Sequence, residues 1–155
     1  MIPAVGSRAP DFSARNQHGE QIRLSDHAGR RDVVLVFYPY AFSGVCTSEL
    51  AALRDRPDLL AAAEFLAISC DPMFTLRAYA DAQELEFGLL TDFWPHGAIA
   101  SSYGVFDAER GCALRGTFVV DRAGVVRWSV VNPVQQARDL DDYARALAKL
   151  GHELG

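Results

Sequence analysis

The chain is expected to fold as an α/β protein, a mixed central β-sheet flanked by helices, and three observations predict it. Residues 33–38 form a continuous apolar run, the pattern of a strand buried on both faces. Strand and helix patterns alternate after it and then give way to two consecutive strands and a last helix, an order that builds parallel and antiparallel pairs into one sheet. Leu140, Tyr143, Ala144 and Leu147 fall at i, i+3, i+4 and i+7, so the pattern closes on an amphipathic helix.

The elements follow in order. Residues 12–15 and 21–24 read as short strands around the turn Asn16-Gln17-His18-Gly19, giving an N-terminal β-hairpin. The apolar strand stops at Pro39, which has no N–H to donate. Residues 46–53 read as a helix, and Pro57 breaks that pattern. The next strand is 64–69. Asp71 is expected to cap a helix with Pro72 at its first position, running to about residue 84. Residues 89–91 make a short strand and 97–103 a short helix. Residues 114–120 and 125–131, joined by Asp121-Arg122-Ala123-Gly124, form a hairpin. No repeat, low-complexity tract or linker divides the chain, so residues 1–155 are read as one domain.

Composition removes several function classes. Half of the 155 residues are hydrophobic, enough to close a core without staples. With 15 basic and 20 acidic residues the formal charge is -5, which offers no electrostatic footprint for nucleic acid or an anionic membrane. The longest apolar run, 33–42, is too short to span a bilayer, and residues 1–10 lack the pattern of an export signal. Three cysteines without tight spacing do not make a secreted disulfide framework, so a reducing cytoplasm is expected. The histidines at 18, 27, 96 and 152 lack metal-ligand spacing and there is no Cys-x-x-Cys, so neither a metal nor another cofactor is expected.

Cys46 is where chemistry is expected. It follows the buried strand after a Pro39-x-x-x-Ser43-x-x-Cys46 spacing and lies in the first turn of the helix it opens. Orphan N–H groups and the positive end of the helix dipole favour an anion there, and a thiolate is the nucleophilic form of cysteine. The alternative is a buried structural thiol. Arg115 begins an apolar strand, where it is either an edge residue with its head in solvent or a permanent guanidinium donor for a thiolate and an incoming oxygen. Ser43 can donate to and accept from an oxygen substrate, or serve as a loop or capping hydroxyl. Pro39 is a strand terminator or a shield over the sulfur.

These residues carry a resemblance. Pro39-x-x-x-Ser43-x-x-Cys46, with Arg115-Gly116-Thr117-Phe118-Val119-Val120-Asp121 downstream, resembles the peroxiredoxin active-site signature on a thioredoxin-like fold. Ala9-Pro10-Asp11-Phe12, Asp92-Phe93-Trp94-Pro95-His96-Gly97-Ala98, Tyr103-Gly104-Val105-Phe106 and Ala137-Arg138-Asp139 extend it in order along nearly the whole chain and point to the AhpE-type branch. Ser43 departs from the Thr that most of the family carries; the hydroxyl survives while the methyl that packs its rotamer is lost.

The resemblance implies thiol-dependent reduction of hydrogen peroxide, organic hydroperoxides and peroxynitrite through a Cys46 sulfenic acid. Arg115 would stabilise the charge on the two oxygens, Ser43 would guide the peroxide and Pro39 would cover the sulfur. Glu49 and Arg138 would form a supporting pair around them; a solvated surface carboxylate is the other reading of Glu49. Known resolving positions hold no cysteine here, Ala51 among them. That favours an external thiol reductant (a low-molecular-weight thiol, or a glutaredoxin-like or thioredoxin-like protein) over an internal bridge to Cys112, which is expected in a loop. Cys70 is expected in the core. Trp94, Tyr40, Phe42 and Phe106 are candidates for the substrate approach or for a homodimer interface, with a higher oligomer left open. Core packing explains the last three equally well. Two other classes remain. A thiol-disulfide reductase would want a second thiol where Glu49 stands, and a redox sensor or holdase would oxidise Cys46 once without turnover.

Overall fold

A computed structural model of the chain describes residues 1–133 and 138–150. Ala137 and His152 therefore lie outside the described residues. The N-terminal hairpin forms as the turn residues require, with β1 (Ser13–Arg15) antiparallel to β2 (Gln21–Arg23). Asn16 closes it by accepting the His18 and Glu20 amides on its side-chain oxygen. A single 3-10 turn, Leu24–His27, leads to β3 (Val33–Phe37).

Every residue of β3 is buried, and the period of two explains why. Val34, Val36 and Tyr38 join one core cluster; Val33, Leu35 and Phe37 join the other. The first cluster packs beneath α1 (Gly44–Arg54), α2 (Pro57–Ala62), α3 (Met73–Gln83) and α5 (Leu140–Ala148). The second packs beneath the N-terminal segment and α4 (Ala98–Ser102). Around β3 the sheet runs β5-β4-β3-β8-β9, built from β4 (Glu64–Ser69), β5 (Gly88–Thr91), β8 (Arg115–Val120) and β9 (Val126–Asn132). Strands β3, β4 and β5 are parallel; β8 runs antiparallel to β3, with Val36 opposite Thr117, and β9 antiparallel to β8. The mixed sheet is the one expected. Among the described residues, no helix is long and apolar enough to cross a membrane.

Four details differ from the sequence reading. Pro57 does more than end α1: as the first residue of α2 it starts another helix, where its fixed φ and missing N–H cost nothing. Between α4 and β8, residues 106–113 fold into a small hairpin of β6 (Phe106–Asp107) and β7 (Cys112–Ala113), two-residue strands too short to leave a periodic signal. Cys112 thus lies in a strand rather than a loop. Finally, Pro72 occupies the N-cap position of α3, and Asp71 makes no cap there; its carboxylate turns back toward the end of β3.

Candidate active site

The carboxyl ends of β3 and β4 and the start of β8 meet at one end of the sheet. Beyond β3, Pro39 is buried and the chain makes a tight turn in which Ser43 N–H and Ser43 Oγ both donate to Tyr40 O, at 3.4 and 3.0 Å. Phe42 inside that turn has φ 69°, a left-handed conformation that disfavours a bulky residue. Such strain, roughly 1–3 kcal/mol, persists only when surrounding contacts fix it. The Phe42 ring rests on Tyr79 of α3, centroids 4.9 Å apart.

Ser43 then occupies the N-cap of α1, as a capping hydroxyl would, but its side chain makes no cap bond and stays with Tyr40 O. Cys46 is the third helical residue and is fully buried. Next to it, Thr47 shares a 3.0 Å hydrogen bond with the Tyr79 hydroxyl. Burial pushes the Tyr79 and Tyr38 phenols up, so both stay neutral at physiological pH.

Arg115 settles between its two readings in favour of the buried one, with an exposure of only 2%. The strand period puts Arg115 on the same face as Thr117 and Val119, the face that packs against α1 and α5. Its bare neighbour Gly116 faces Val105, whose Cγ1 would stand 2.8 Å from any Cβ. Arg115 Nη2 donates to Cys46 Sγ at 3.1 Å, and Nη1 pairs with Glu49 Oε1. Glu49 Oε2 accepts the Arg138 amide at 2.8 Å and lies 3.7 Å from Arg138 Nε, while Arg138 Nη2 donates to Phe37 O. Glu49 is therefore no solvated surface carboxylate. Two buried guanidiniums around one buried carboxylate carry one net positive charge, and a thiolate at Cys46 would cancel it.

The remaining candidates separate. Tyr40 is exposed; its hydroxyl donates to Arg110 O at 3.2 Å and contacts the Cys112 thiol, a contact that chiefly pushes the phenol up to about 12. Cys112 is buried in β7. Cys70 is buried as expected, and its thiol is pushed up to about 12 by that burial and by Asp92, Cys112 and Asp71 nearby. Phe42 and Trp94 are exposed, whereas Phe106 is half-buried against His96, centroids 6.0 Å apart. His96 itself is exposed, its two ring nitrogens against the carbonyls of Phe93 and Gly111. Sequence reasoning missed Tyr79 and Thr47 beside Cys46 and the bond from Ala41 to Asp71. Only the Asp-Pro pair gave any signal for Asp71, and it pointed to a cap.

A thiol in the first turn of a helix, bonded to a buried arginine at the carboxyl end of a central strand of a mixed sheet, fits a cysteine-dependent oxidoreductase of the thioredoxin-like class. The comparisons narrow that class. Residues 5–129 match the AhpC/TSA family. The chain is 44% identical over 151 residues to alkyl hydroperoxide reductase E of Mycobacterium tuberculosis, covering 94% of this chain and 97% of that one. It is 34% identical to the chloroplastic 2-Cys peroxiredoxin BAS1 of Hordeum vulgare, covering 96% and 76%. Among solved structures, peroxidoxin BcpB from Mycobacterium tuberculosis superposes with a TM-score of 0.81 at 30% identity, covering 96% of each chain. The reduced 2-Cys peroxiredoxin of Plasmodium vivax gives 0.86 at 28% identity, covering 94% of this chain and 81% of the other. The chain belongs to the AhpC/TSA family, as a peroxiredoxin of the AhpE type and a thiol-dependent peroxidase.

Proposed function

We propose that Cys46 is the peroxidatic cysteine and that the cycle needs no second cysteine of this chain. The Cys46 thiolate attacks the nearer peroxide oxygen and the O–O bond breaks; the departing oxygen takes a proton and leaves as water or an alcohol, or, with peroxynitrite, leaves as nitrite. The sulfur ends as a sulfenic acid, oxidised by two electrons. The observation that carries this reading is the 3.1 Å bond from Arg115 Nη2 to Cys46 Sγ, with both residues withdrawn from water. In a site that excludes water, a fixed guanidinium stabilises charge spreading over the two oxygens without reorganising. Ser43 guides the substrate from the turn before α1, and buried Pro39 covers the sulfur. Glu49 and Arg138 hold the Arg115 fork in place. Hydrogen peroxide and organic hydroperoxides are the substrates, with peroxynitrite as a third.

An external thiol completes the turnover. It displaces water from the sulfenic acid to form a mixed disulfide, and a second thiol releases Cys46 and carries away the disulfide. A low-molecular-weight thiol or a glutaredoxin-like or thioredoxin-like protein fills that place, because the Cys46 sulfur faces Arg115 while Cys112 lies in β7 against Tyr40. The exposed aromatics Tyr40, Phe42 and Trp94 support a homodimer, and the cysteine usage supports a cytoplasmic setting.

The test is peptide mass after stoichiometric hydrogen peroxide, run beside Cys46→Ser and Cys112→Ser. One added oxygen on Cys46, trapped by a sulfenic-acid reagent and unchanged in Cys112→Ser, is expected. Loss of two hydrogens that requires Cys112 would replace the one-cysteine cycle with an internal disulfide.

A further inference from the structure

Asp71 stands where β4 ends and α3 begins, and three short hydrogen bonds and one long one, from its own amide to Ser69 Oγ at 3.4 Å, tie it to its surroundings. Its Oδ2 accepts from the Ala41 amide at 2.8 Å and from Ser69 Oγ at 2.7 Å, and its backbone carbonyl accepts from Thr91 Oγ1 at 2.5 Å. Ser69 belongs to β4 and Thr91 to β5, so the sheet holds the Asp71 carboxylate through Ser69 and its backbone carbonyl through Thr91. Ala41, by contrast, lies in the turn between Pro39 and Ser43, and the next residue is the strained Phe42. A left-handed Phe persists only if something outside the turn fixes it. Within the turn Ser43 Oγ donates to Tyr40 O at 3.0 Å, while the backbone bond from the Ser43 amide to the same carbonyl is long, at 3.4 Å. From outside the turn, the Phe42 ring packs on Tyr79 and the Ala41 amide donates to the Asp71 side chain at 2.8 Å, the one backbone tie of the turn to the sheet side among the described residues.

We infer that Asp71 is a positioning residue for peroxide reduction, pinning the Ala41 amide so that residues 39–43 keep the turn from which Ser43 and the Cys46 helix begin. The inference rests on Cys46 being the reacting thiol. Asp71 acts on the reaction through the turn, and what it sets is where the peroxide sits. A misplacement of about 1 Å in such a turn costs on the order of a hundredfold in rate.

The experiment measures peroxide oxidation of Cys46 by stopped flow, iodoacetamide alkylation of Cys46 against pH, and hydrogen exchange of the Ala41 amide. These are taken in the wild type, Asp71→Ala and Asp71→Asn. Asp71→Ala should slow the peroxide reaction by about ten- to a hundredfold and speed Ala41 exchange, while the alkylation profile keeps its midpoint because Arg115 and the helix are untouched. Asp71→Asn keeps an oxygen acceptor and should recover the rate to within about threefold. A peroxide rate in Asp71→Ala equal to the wild type overturns the inference, as does an Asn variant as slow as the Ala one. Should the Ala variant fail to fold, an unprotected Ala41 amide in the wild type overturns it as well. A wild type no faster with peroxide than a free thiol sinks the assignment of Cys46 instead, a result distinct from the others.

Discussion

Strands β3 and β4 lie side by side and run the same way, and each delivers a cysteine to the same end of the sheet. Cys46 and Cys70 are both buried, so burial is not what separates them. The sign of the neighbouring charge is. Beyond β3 the thiol enters the first turn of a helix and meets Arg115, itself part of a cluster with one excess positive charge. Beyond β4 the thiol meets Asp92 and Asp71, and burial with those carboxylates pushes it up to about 12, where it is protonated and inert at neutral pH. Two strand ends a few ångströms apart (adjacent strands lie about 4.8 Å from each other) thus place their thiols in opposite surroundings, one beside a buried guanidinium and one beside carboxylates, which is the contrast the proposed role of Cys46 requires.

The largest effect should come from exchanging the two thiols' fates. Cys46→Ser is expected to abolish turnover, whereas Cys70→Ser should keep peroxidase activity within about twofold and lose only stability, about 1 kcal/mol. Steady-state peroxide consumption with a regenerating thiol checks both. In the same spirit, iodoacetamide at pH 7 should label Cys46 and leave Cys70 untouched until the protein unfolds, which peptide mapping reads directly.

Next in size is the charge cluster that makes the β3 end different. Glu49→Ala leaves Arg115 and Arg138 buried without their carboxylate and should destabilise the fold by about 3–5 kcal/mol, seen in urea unfolding. Arg115→Lys keeps the charge and loses the fork that reaches sulfur and Glu49 together. Its peroxide rate should fall by roughly a hundredfold, measured by stopped flow.

The smallest effect lies at the other end of β8, where charge has no catalytic task. Burial tends to raise the Asp121 carboxyl, but the Val125 and Ala123 amides and Arg127 outweigh it and hold the group below the ordinary carboxylate range. A depressed folded value stabilises the protein above the unfolded value, about 3.9, and that stability disappears as pH falls through the folded value. Asp121→Asn should therefore lower Tm at pH 7 by a few degrees at most, with the gap closing below about pH 4 in thermal scans.

How much of this was legible in the chain varies by element. The apolar strand, the hairpins at both ends and the amphipathic closing helix all follow from local periodicity, and they formed where expected. The two-residue strands β6 and β7 were not, because a pattern needs more residues than they contain. Asp71 misled for a sharper reason. An Asp before Pro reads as a helix cap, yet a carboxylate takes the best donor within reach, and the fold brought the Ala41 amide to it from 30 residues away.

The site divides along the same line. That a cysteine opens a helix at the end of a doubly buried strand is local information, because strand period, proline stop and helix start are all read within about a dozen residues. Which groups surround the sulfur was set by long-range packing. Arg115 is 69 residues from Cys46 and 66 from Glu49, and nothing local tells an arginine at the start of a strand to point inward rather than out. That choice was made when β8 paired with β3, since the register of the pair, with its period of two, assigns Arg115 to the face where Cys46 and Glu49 already wait.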